Sequence, residues 1–219
     1  MTFTEDEIVD TVNNIFDKLS DKVFIAGGCA RYLLAKEYLP ENDVPSDIDL
    51  FLFKQQDFGY VSKVLNEMQY YQNFNSFYAA TYGKATHTDD NMFVSHIPIQ
   101  VIKPFENKYR VTYGDPLKVI SGFTLDMERW AIWRNDKGEL MQVYGYTQEK
   151  WDKLKTTYLH YNKEHIDNPI SAALRMSKYG MKGYTIERKS VADLFKVWDS
   201  MTPEERNECM KAYLYEKTY

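Results

Sequence analysis

The stretch FIAGGCARYLLAKEYLPENDVPSDIDLFLF, residues 24–53, constrains the fold more than any other part of this 219-residue chain. An apolar run ends at Gly27-Gly28, and a second apolar run contains Asp47 and Asp49. This pattern predicts a strand over 23–26, a glycine turn, a helix over 29–37 and a second strand over 48–53. Residues i and i+2 of a strand share a face, so the two carboxylates are expected to project together.

Two carboxylates that project together repel each other unless a cation lies between them. Mg²⁺ prefers oxygen ligands and is often held by one or two carboxylates together with substrate phosphates. Gly27 and Gly28 complement such a site, because glycine lets the backbone approach a ligand and the following helix N-terminus favours phosphate. The residues alone therefore predict a metal site at Asp47 and Asp49 beside a phosphate site at the glycines.

The segment GGCARYLL…SDIDLFLF resembles the GG-x-x-R…[DE]-x-D signature of the polymerase β-like nucleotidyltransferase superfamily. It is most similar to the head domain of tRNA CCA-adding enzymes and bacterial poly(A) polymerases. Leu33 and Leu34 form the apolar face of the intervening helix. Tyr32 occupies the position after the Arg, where that family usually has Asp. The residues that match the signature are Gly27, Gly28, Arg31, Asp47 and Asp49.

A second segment, NPISAALRMSKYGMKGYTI at 168–186, is a looser match to the region after the head in that family. The residues that correspond there are Arg175, Tyr179, Gly183 and Tyr184. Asn168-Pro169 predicts the start of a helix at this point, and Gly183 predicts its end.

The resemblance implies a metal-dependent enzyme that transfers a nucleoside monophosphate from an NTP to a hydroxyl and releases pyrophosphate. The implied acceptor is an RNA or tRNA 3′ end, and the implied metal is Mg²⁺ or Mn²⁺. Asp47 and Asp49 would bind the metal. The residues expected to contact the nucleotide are Gly27, Gly28, Arg31, Ser46, Arg175 and Lys178, with bracing of the loop as the alternative role of Arg31.

The superfamily usually has a third carboxylate on a neighbouring strand, and here the corresponding strand, 97–102, offers Gln100. One interpretation is that Asp126 or Glu128 completes the site from a strand predicted over 123–134, with Asp126 as the catalytic candidate. A second is that two aspartates and a substrate phosphate suffice. A third is that catalysis has been lost and the fold now binds or regulates.

The net charge of −5 argues against a chain coated for non-specific binding to nucleic acid. Residues 168–196 nevertheless carry six Lys and Arg against two Asp and Glu. On a helix over 169–182, Arg175, Lys178 and Lys182 share one face, which we call the basic stripe, and apolar residues share another: Ile170, Ala173, Leu174 and Met181, with Ser177. The basic stripe is the best candidate for RNA phosphates, and an ordinary solvated helix face is the alternative.

The region 70–82 is dense in Tyr and Phe. These rings could stack nucleobases, but aromatic residues in strands more often form the core and cross-strand pairs, and that interpretation is preferred. His87 and His96 flank Asp89-Asp90, where a polar loop is favoured over a metal cluster because the spacing matches no usual zinc site.

Three further helices are predicted. Thr4 and Glu7 form a capping box that predicts a helix over 4–20, a second helix starts at Asp57 and runs through Met68, and Asp115-Pro116 opens a short helix through Ser121.

We therefore expect an α/β (α+β) protein: a catalytic nucleotidyltransferase head over 1–146, with a mixed sheet flanked by helices, and a small helical domain over 147–219 that could bind the acceptor or a nucleotide. The two cysteines are far apart and predict free thiols, and no apolar run reaches the length of a membrane span, so a soluble cytoplasmic protein is expected. The alternatives are a catalytically inactive binding or regulatory module, and transfer to a protein or small-molecule hydroxyl.

Overall fold

The computed structural model describes residues 3–88, 91–94, 96–106, 111–159 and 168–216. The chain forms two compact units. Unit 1 contains residues 1–122 and 128–145, and unit 2 contains residues 123–127 and 146–219. The roles predicted for the two domains, catalysis and acceptor binding, stay predictions. Among the described residues, no helix combines the length and the apolar character needed to cross a membrane.

Unit 1 is built around a mixed seven-stranded sheet with the strand order β3-β4-β7-β2-β1-β8-β9. β2 and β7 are parallel, and the other neighbours in the sheet are antiparallel. A separate antiparallel pair joins β5 to β6. The strands of this unit are β1 (Val23–Ala26), β2 (Ile48–Leu52), β3 (Tyr71–Asn75), β4 (Ala79–Gly83), β5 (Ala85–Thr88), β6 (Asn91–Val94), β7 (Ile99–Ile102), β8 (Trp130–Arg134) and β9 (Leu140–Tyr144).

Four helices belong to unit 1: α1 (Glu5–Leu19), α2 (Gly28–Ala35), α3 (Phe58–Glu67) and α4 (Pro116–Ser121). Local signals set their starts. Thr4 and Glu7 form a capping box at α1. The Asp115 side chain accepts from the Leu117 N–H at α4, where Pro116 occupies the first helical position. The sequence prediction placed all four helices within a few residues of these bounds.

The two faces of the sheet differ in character. One face carries Ile25, Ile48 and Leu50, all fully buried. Helices contact this face, since Tyr82 donates to Ser62 of α3 and Arg134 bonds Asp17 and Asn13 of α1. The opposite face carries an apolar aromatic cluster of Phe24, Phe51, Phe53 and Trp133, and beyond it Asp49, Gln100 and Thr81.

The strand predicted over 123–134 is only partly present. β8 begins at Trp130, and Asp126–Glu128 forms a single 3₁₀ turn. Leu125 instead bridges to Tyr158, so the segment pairs with the second unit rather than with the large sheet.

Unit 2 contains α5 (Gln148–Asp152), β10 (Lys155–Thr156), α6 (Pro169–Met181), β11 (Thr185–Ile186), α7 (Arg188–Ser200) and α8 (Pro203–Glu216). β10 and β11 form a short parallel pair that the prediction of an all-helical segment did not include. On α6 the buried side chains are Pro169, Ala172, Met176 and Tyr179, whereas Leu174 and Met181 of the predicted apolar face are exposed. The apolar face that helical spacing predicted for α6 was therefore wrong.

Candidate active site

Gly27 turns the chain from β1 into α2. Its φ of 79° and ψ of −138° lie in a backbone region that residues with a Cβ rarely adopt. Its N–H donates to the carbonyl of Trp130 at 2.9 Å, and its own carbonyl accepts from Arg31 N–H at 3.0 Å. The glycine therefore ties β1 to β8 and starts α2 in one step, which explains why the sequence has glycine here.

Gly28 is the first residue of α2, and its surroundings are open. A Cβ built on it would meet no heavy atom within 4 Å. Among the described residues, no side chain caps the helix at Gly27. The first N–H groups of a helix lack intrahelical partners and carry the positive end of the helix dipole. This open helix start can therefore accept an anion such as a phosphate.

The glycine turn and the Asp pair lie at the same end of two neighbouring strands. β1 and β2 are antiparallel, with Ile25 opposite Leu50, so one further step along each strand brings Ala26 beside Asp49. The strands are adjacent but antiparallel, and this orientation makes the end of β1 and the start of β2 meet.

Asp47 and Asp49 are both half-buried, Asp47 just before β2 and Asp49 within it. Gln100 of β7 is the register partner of Asp49, and its side-chain amide donates to Asp47 Oδ2 at 3.0 Å. Burial raises the pKa of the Cys29 thiol in the first turn of α2, and the charges of Asp49 and Asp47 raise this pKa further. Both carboxylates therefore lie close enough to Cys29 for their charges to disfavour its thiolate.

The donor set at this position fits a magnesium ion that is shared with a substrate. In the part of the chain that the structure describes, no group of three or more His, Cys, Asp and Glu side chains is placed to hold a metal by itself. Two carboxylates beside an open phosphate site match the way Mg²⁺ is usually bound, through one or two carboxylates and substrate phosphates. The assignment of the metal to Asp47 and Asp49 stays a prediction.

Arg31 is buried and forms an ion pair with Asp43. Its guanidinium lies 2.6 Å from Asp43 Oδ2, and both side chains are at most 2% exposed. Asp43 lies in the loop that connects α2 to β2. These contacts match the loop-bracing role among the two that the sequence suggested for Arg31. Asp43 was not predicted as a functional residue, because nothing distinguishes it in a loop that contains three other acidic residues between 37 and 47.

Two other residues of the predicted site have different surroundings. Ser46 is exposed in the turn that precedes Asp47. Tyr32, the departure from the family signature, is buried on α2, and its side chain therefore takes part in the core. The predicted contact of Ser46 with nucleotide stays a prediction.

Asp126 belongs to unit 2 and is buried there. Its carboxylate accepts from Thr156 Oγ1 at 2.9 Å, from the Thr157 N–H at 2.8 Å and from Lys150 Nζ. The backbone around Glu128, the other candidate, forms the 3₁₀ turn described above. The catalytic role of Asp126 stays a prediction, and its contacts are those of a carboxylate that holds two segments of unit 2 together.

The basic stripe lies on α6 of unit 2. Arg175 donates to Thr124 Oγ1 at 3.1 Å, Lys178 is exposed, and Lys182 Nζ lies 5.8 Å from the ring centroid of Tyr179. Tyr179 and Tyr184 are buried and pack edge to face. The two tyrosines of the looser family match are thus core residues, and the three basic residues remain candidates for phosphate contacts.

The aromatic region at 70–82 divides into two groups. Tyr70 and Tyr82 are buried, as the preferred interpretation expected. Tyr71 and Phe74 are exposed, with relative accessibilities of 60% and 45%. The preference for core packing was therefore wrong for these two rings. The exposed group also includes Phe77 and Tyr78.

The sequence favoured a polar loop around His87 and His96 over a metal cluster, but the backbone of His87 belongs to strand β5. Asp89 and Asp90 lie outside the described residues. The ring of His96 packs edge to face on Tyr70, with 6.2 Å between centroids. This contact gives His96 a packing role.

No protein-family model matches this sequence, and no curated protein matches it significantly. Solved structures do match its fold. A tRNA nucleotidyltransferase complexed with a primer tRNA and an incoming ATP analogue is 11% identical, with a TM-score of 0.55 over 92% of this chain. An apo form of a CCA-adding enzyme is 13% identical, with a TM-score of 0.55 over 99% of this chain.

The chain covers 55% of the first of these structures and 51% of the second, so it spans about half of their length. At this level of identity the likeness shows the fold. The fold is like that of these nucleotidyltransferase structures, as the resemblance of the motif at residues 27–49 implied. This fold is a mixed sheet flanked by helices and followed by a smaller C-terminal unit.

Proposed function

We propose that this protein is a metal-dependent nucleotidyltransferase that transfers a nucleoside monophosphate from an NTP to a hydroxyl of an RNA 3′ end. One observation carries the proposal. The open start of α2 at Gly28 and the carboxylates of Asp47 and Asp49 meet at one end of β1 and β2. An anion site beside a cation site is the arrangement that a metal–triphosphate complex requires.

The residues of the chain would divide the work as follows. The first N–H groups of α2 bind triphosphate oxygens, and the absence of a side chain at Gly28 leaves room for them. Asp47 and Asp49 hold Mg²⁺ or Mn²⁺, and Gln100 fixes the orientation of Asp47 through the 3.0 Å hydrogen bond. When bound, the metal supplies neutralisation of the charge that develops on the phosphates.

Arg31 acts through the loop rather than on the nucleotide. Its ion pair with Asp43 fixes the loop whose end carries Ser46 and Asp47. Because transfer of this kind depends mostly on positioning and charge neutralisation, a rigid loop before Asp47 contributes directly to the geometry of the site.

The RNA assignment has two supports. One is the fold shared with a tRNA nucleotidyltransferase seen with primer tRNA. The other is the basic stripe, which provides positive charge in a chain whose first 150 residues carry a formal net charge of −7. Lys and Arg that contact phosphates release counterions, with a slope of about −0.7 per contact on single strands. We expect the triple variant Arg175→Ala, Lys178→Ala, Lys182→Ala to weaken tRNA binding and flatten its salt dependence.

An inactive binding module is the second candidate, and Gln100 is the observation that favours it. Gln100 occupies the register position opposite Asp49, where the superfamily usually has a carboxylate. Its amide cannot accept a proton from an attacking hydroxyl. Asp47 and Asp49 argue against this candidate, because two neighbouring carboxylates repel each other and a protein without a metal gains nothing from them.

The decisive experiment incubates the protein with each α-labelled NTP, Mg²⁺ or Mn²⁺, and total RNA or total protein. Label on RNA supports the proposal, and label on protein moves the acceptor to a protein hydroxyl. Binding of Mg²⁺–NTP without any label on an acceptor supports the binding module. The Asp47→Asn variant provides the matched control for each reaction.

A further inference from the structure

The geometry points to a nucleobase-stacking platform at the edge of the sheet in unit 1, formed by Tyr71 and Phe74 with the Asn73 amide between them. We propose that it binds the last unpaired nucleotides of the acceptor strand on their way to Asp47 and Asp49. The inference rests on the proposed function and adds the form of acceptor that the site takes.

A β-bulge places both rings on one face of the sheet. Tyr71 pairs with Gly83 and Phe74 pairs with Thr81, with a register shift between Gln72 and Phe74. In a regular strand, residues three apart would point to opposite faces. The extra residue Asn73 restores a common direction, since a bulge puts two residues opposite one and redirects the side chains that follow.

That face is the one that carries the candidate metal site. Phe74, Thr81, Gln100 and Asp49 are successive register partners across β3, β4, β7 and β2, and register partners project from the same face. Three strand spacings separate the first from the last, or about 14 Å. A stacked single strand advances about 3.4 Å per nucleotide, so about four nucleotides cover this distance.

Asn73 and Gly83 complete the platform. A Cβ on Gly83 would lie 2.7 Å from Asn73 Nδ2, so the amide of Asn73 rests on the glycine, on the same face as the two rings. Tyr71 and Phe74 each have about half of their surface exposed. Folding of an edge strand does not require an aromatic residue at either position, since a polar residue would also fit there. An exposed amide between two exposed rings is suited to bases, which offer a π-face to stack and polar edges to bond.

The charge of this region favours stacking over phosphate contacts as its source of affinity. Residues 1–150 are acidic overall, so a polyanion gains little from Coulomb attraction there. Stacking on aromatic side chains is tolerant of sequence and does not depend on neutralising phosphates. The basic stripe therefore predicts a contribution that weakens with salt and the platform one that does not, so the two contributions can be separated.

The test uses a labelled RNA duplex with 3′ overhangs of zero, two, four and six nucleotides, with affinity measured by fluorescence anisotropy across a salt titration. For the wild-type protein we expect affinity to rise with overhang length up to about four nucleotides. Tyr71→Ala and Phe74→Ala should each remove roughly 5- to 150-fold of this gain, with the slope against salt unchanged. Tyr71→Phe should retain the gain, because its ring still stacks.

The matched control is Tyr60→Ala, which removes an exposed ring from α3, a helix that contacts the opposite face of the sheet. This variant should bind as the wild type does at every overhang length. Gly83→Ala should behave like the platform variants, because the added methyl group displaces the Asn73 amide. Thermal unfolding curves, compared with that of the wild type, check that each variant of an exposed aromatic residue is folded.

Equal affinity of the wild type and of Tyr71→Ala and Phe74→Ala at all overhang lengths would overturn the platform. So would a loss of Mg²⁺–NTP binding in these variants, which would place the rings under the incoming base. A wild-type dimer in sedimentation that the variants abolish would instead assign the edge to a second copy of the chain. The proposed function fails separately, through normal Mg²⁺–NTP binding by Asp47→Asn.

Discussion

The side-chain amide of Gln100 donates to Asp47 Oδ2 at 3.0 Å, while the backbone of Gln100 is in register with Asp49. One neutral residue thus contacts one candidate metal ligand and lies beside the other. A carboxylate in its place would add a third negative charge to a pair that already repels. The site is therefore built with two charges and an amide that orients one of them.

Substitution at Gln100 separates orientation from charge. We expect Gln100→Ala to reduce transfer modestly, by about tenfold, because Asp47 loses one hydrogen bond worth about 1.5 kcal/mol. Gln100→Glu should bind Mn²⁺ more tightly and be less stable without metal, since a third carboxylate increases both attraction for the cation and repulsion in its absence. Calorimetric titration with Mn²⁺ and urea unfolding without metal measure the two effects. Weaker Mn²⁺ binding by Gln100→Glu would contradict the assignment.

The Asp pair itself gives the most direct prediction. Asp47→Asn and Asp49→Asn should each abolish transfer and weaken metal-dependent NTP binding, because each removes a ligand charge. Without metal, both variants should be as stable as the wild type or more stable, since a repulsion is removed. Transfer with each NTP and urea unfolding in EDTA are the measurements. Near-wild-type transfer by either variant would show that the metal is held elsewhere.

Gly28 distinguishes a ligand requirement from a folding requirement. Because a Cβ at Gly28 meets no atom within 4 Å, we expect Gly28→Ala to fold normally and to gain up to about 1 kcal/mol of unfolding free energy from reduced chain entropy. Its methyl group should nevertheless intrude on the phosphate site and weaken Mg²⁺–NTP binding. Gly27→Ala is the comparison, since its positive φ makes the same change destabilising. Unchanged nucleotide affinity in Gly28→Ala would remove the phosphate from the start of α2.

Local sequence signals predicted those parts of the fold that depend on a few neighbouring residues. The capping box at Thr4 and Glu7, the Asp115 cap and the glycine turn after β1 all involve contacts within a few positions. The convergence of the glycine turn and the Asp pair was also predictable, because both lie at ends of neighbouring apolar strands.

Other features depend on distant partners and left no signal in the sequence. The bulge at Asn73 exists because β3 pairs with β4 at a shifted register, and it reverses the direction expected for Phe74. Asp126 reads as a strand residue, but Thr156 and Thr157 draw it into unit 2. Leu174 was predicted on the apolar face of α6, yet it is exposed, and Met176 and Tyr179 are buried instead.

The role of Asp126, structural or catalytic, can be decided by comparing its substitution with that of its ion-pair partner Lys150. From its contacts we expect Asp126→Asn to lower the unfolding free energy by about 1.5–3 kcal/mol, the value of charged hydrogen bonds, and Lys150→Met to have a similar effect. The transfer activity per folded molecule should then decrease only slightly, and by a similar amount in both variants. A loss of transfer by orders of magnitude in Asp126→Asn alone would support the catalytic role that the sequence suggested.

The Arg31–Asp43 pair makes the last prediction, and it decides between bracing and phosphate contact. Both side chains are at most 2% exposed, and removing one member of a buried ion pair leaves a buried charge without compensation, which costs about 3–5 kcal/mol. Arg31→Met and Asp43→Leu should each destabilise by this amount, and the double variant should recover much of it because apolar groups replace both charges. Urea unfolding of the four proteins closes the cycle.

Mg²⁺–NTP affinity of the folded double variant should stay within severalfold of the wild type if Arg31 braces the loop. A stable Arg31→Met that no longer binds nucleotide would instead place the guanidinium on phosphate.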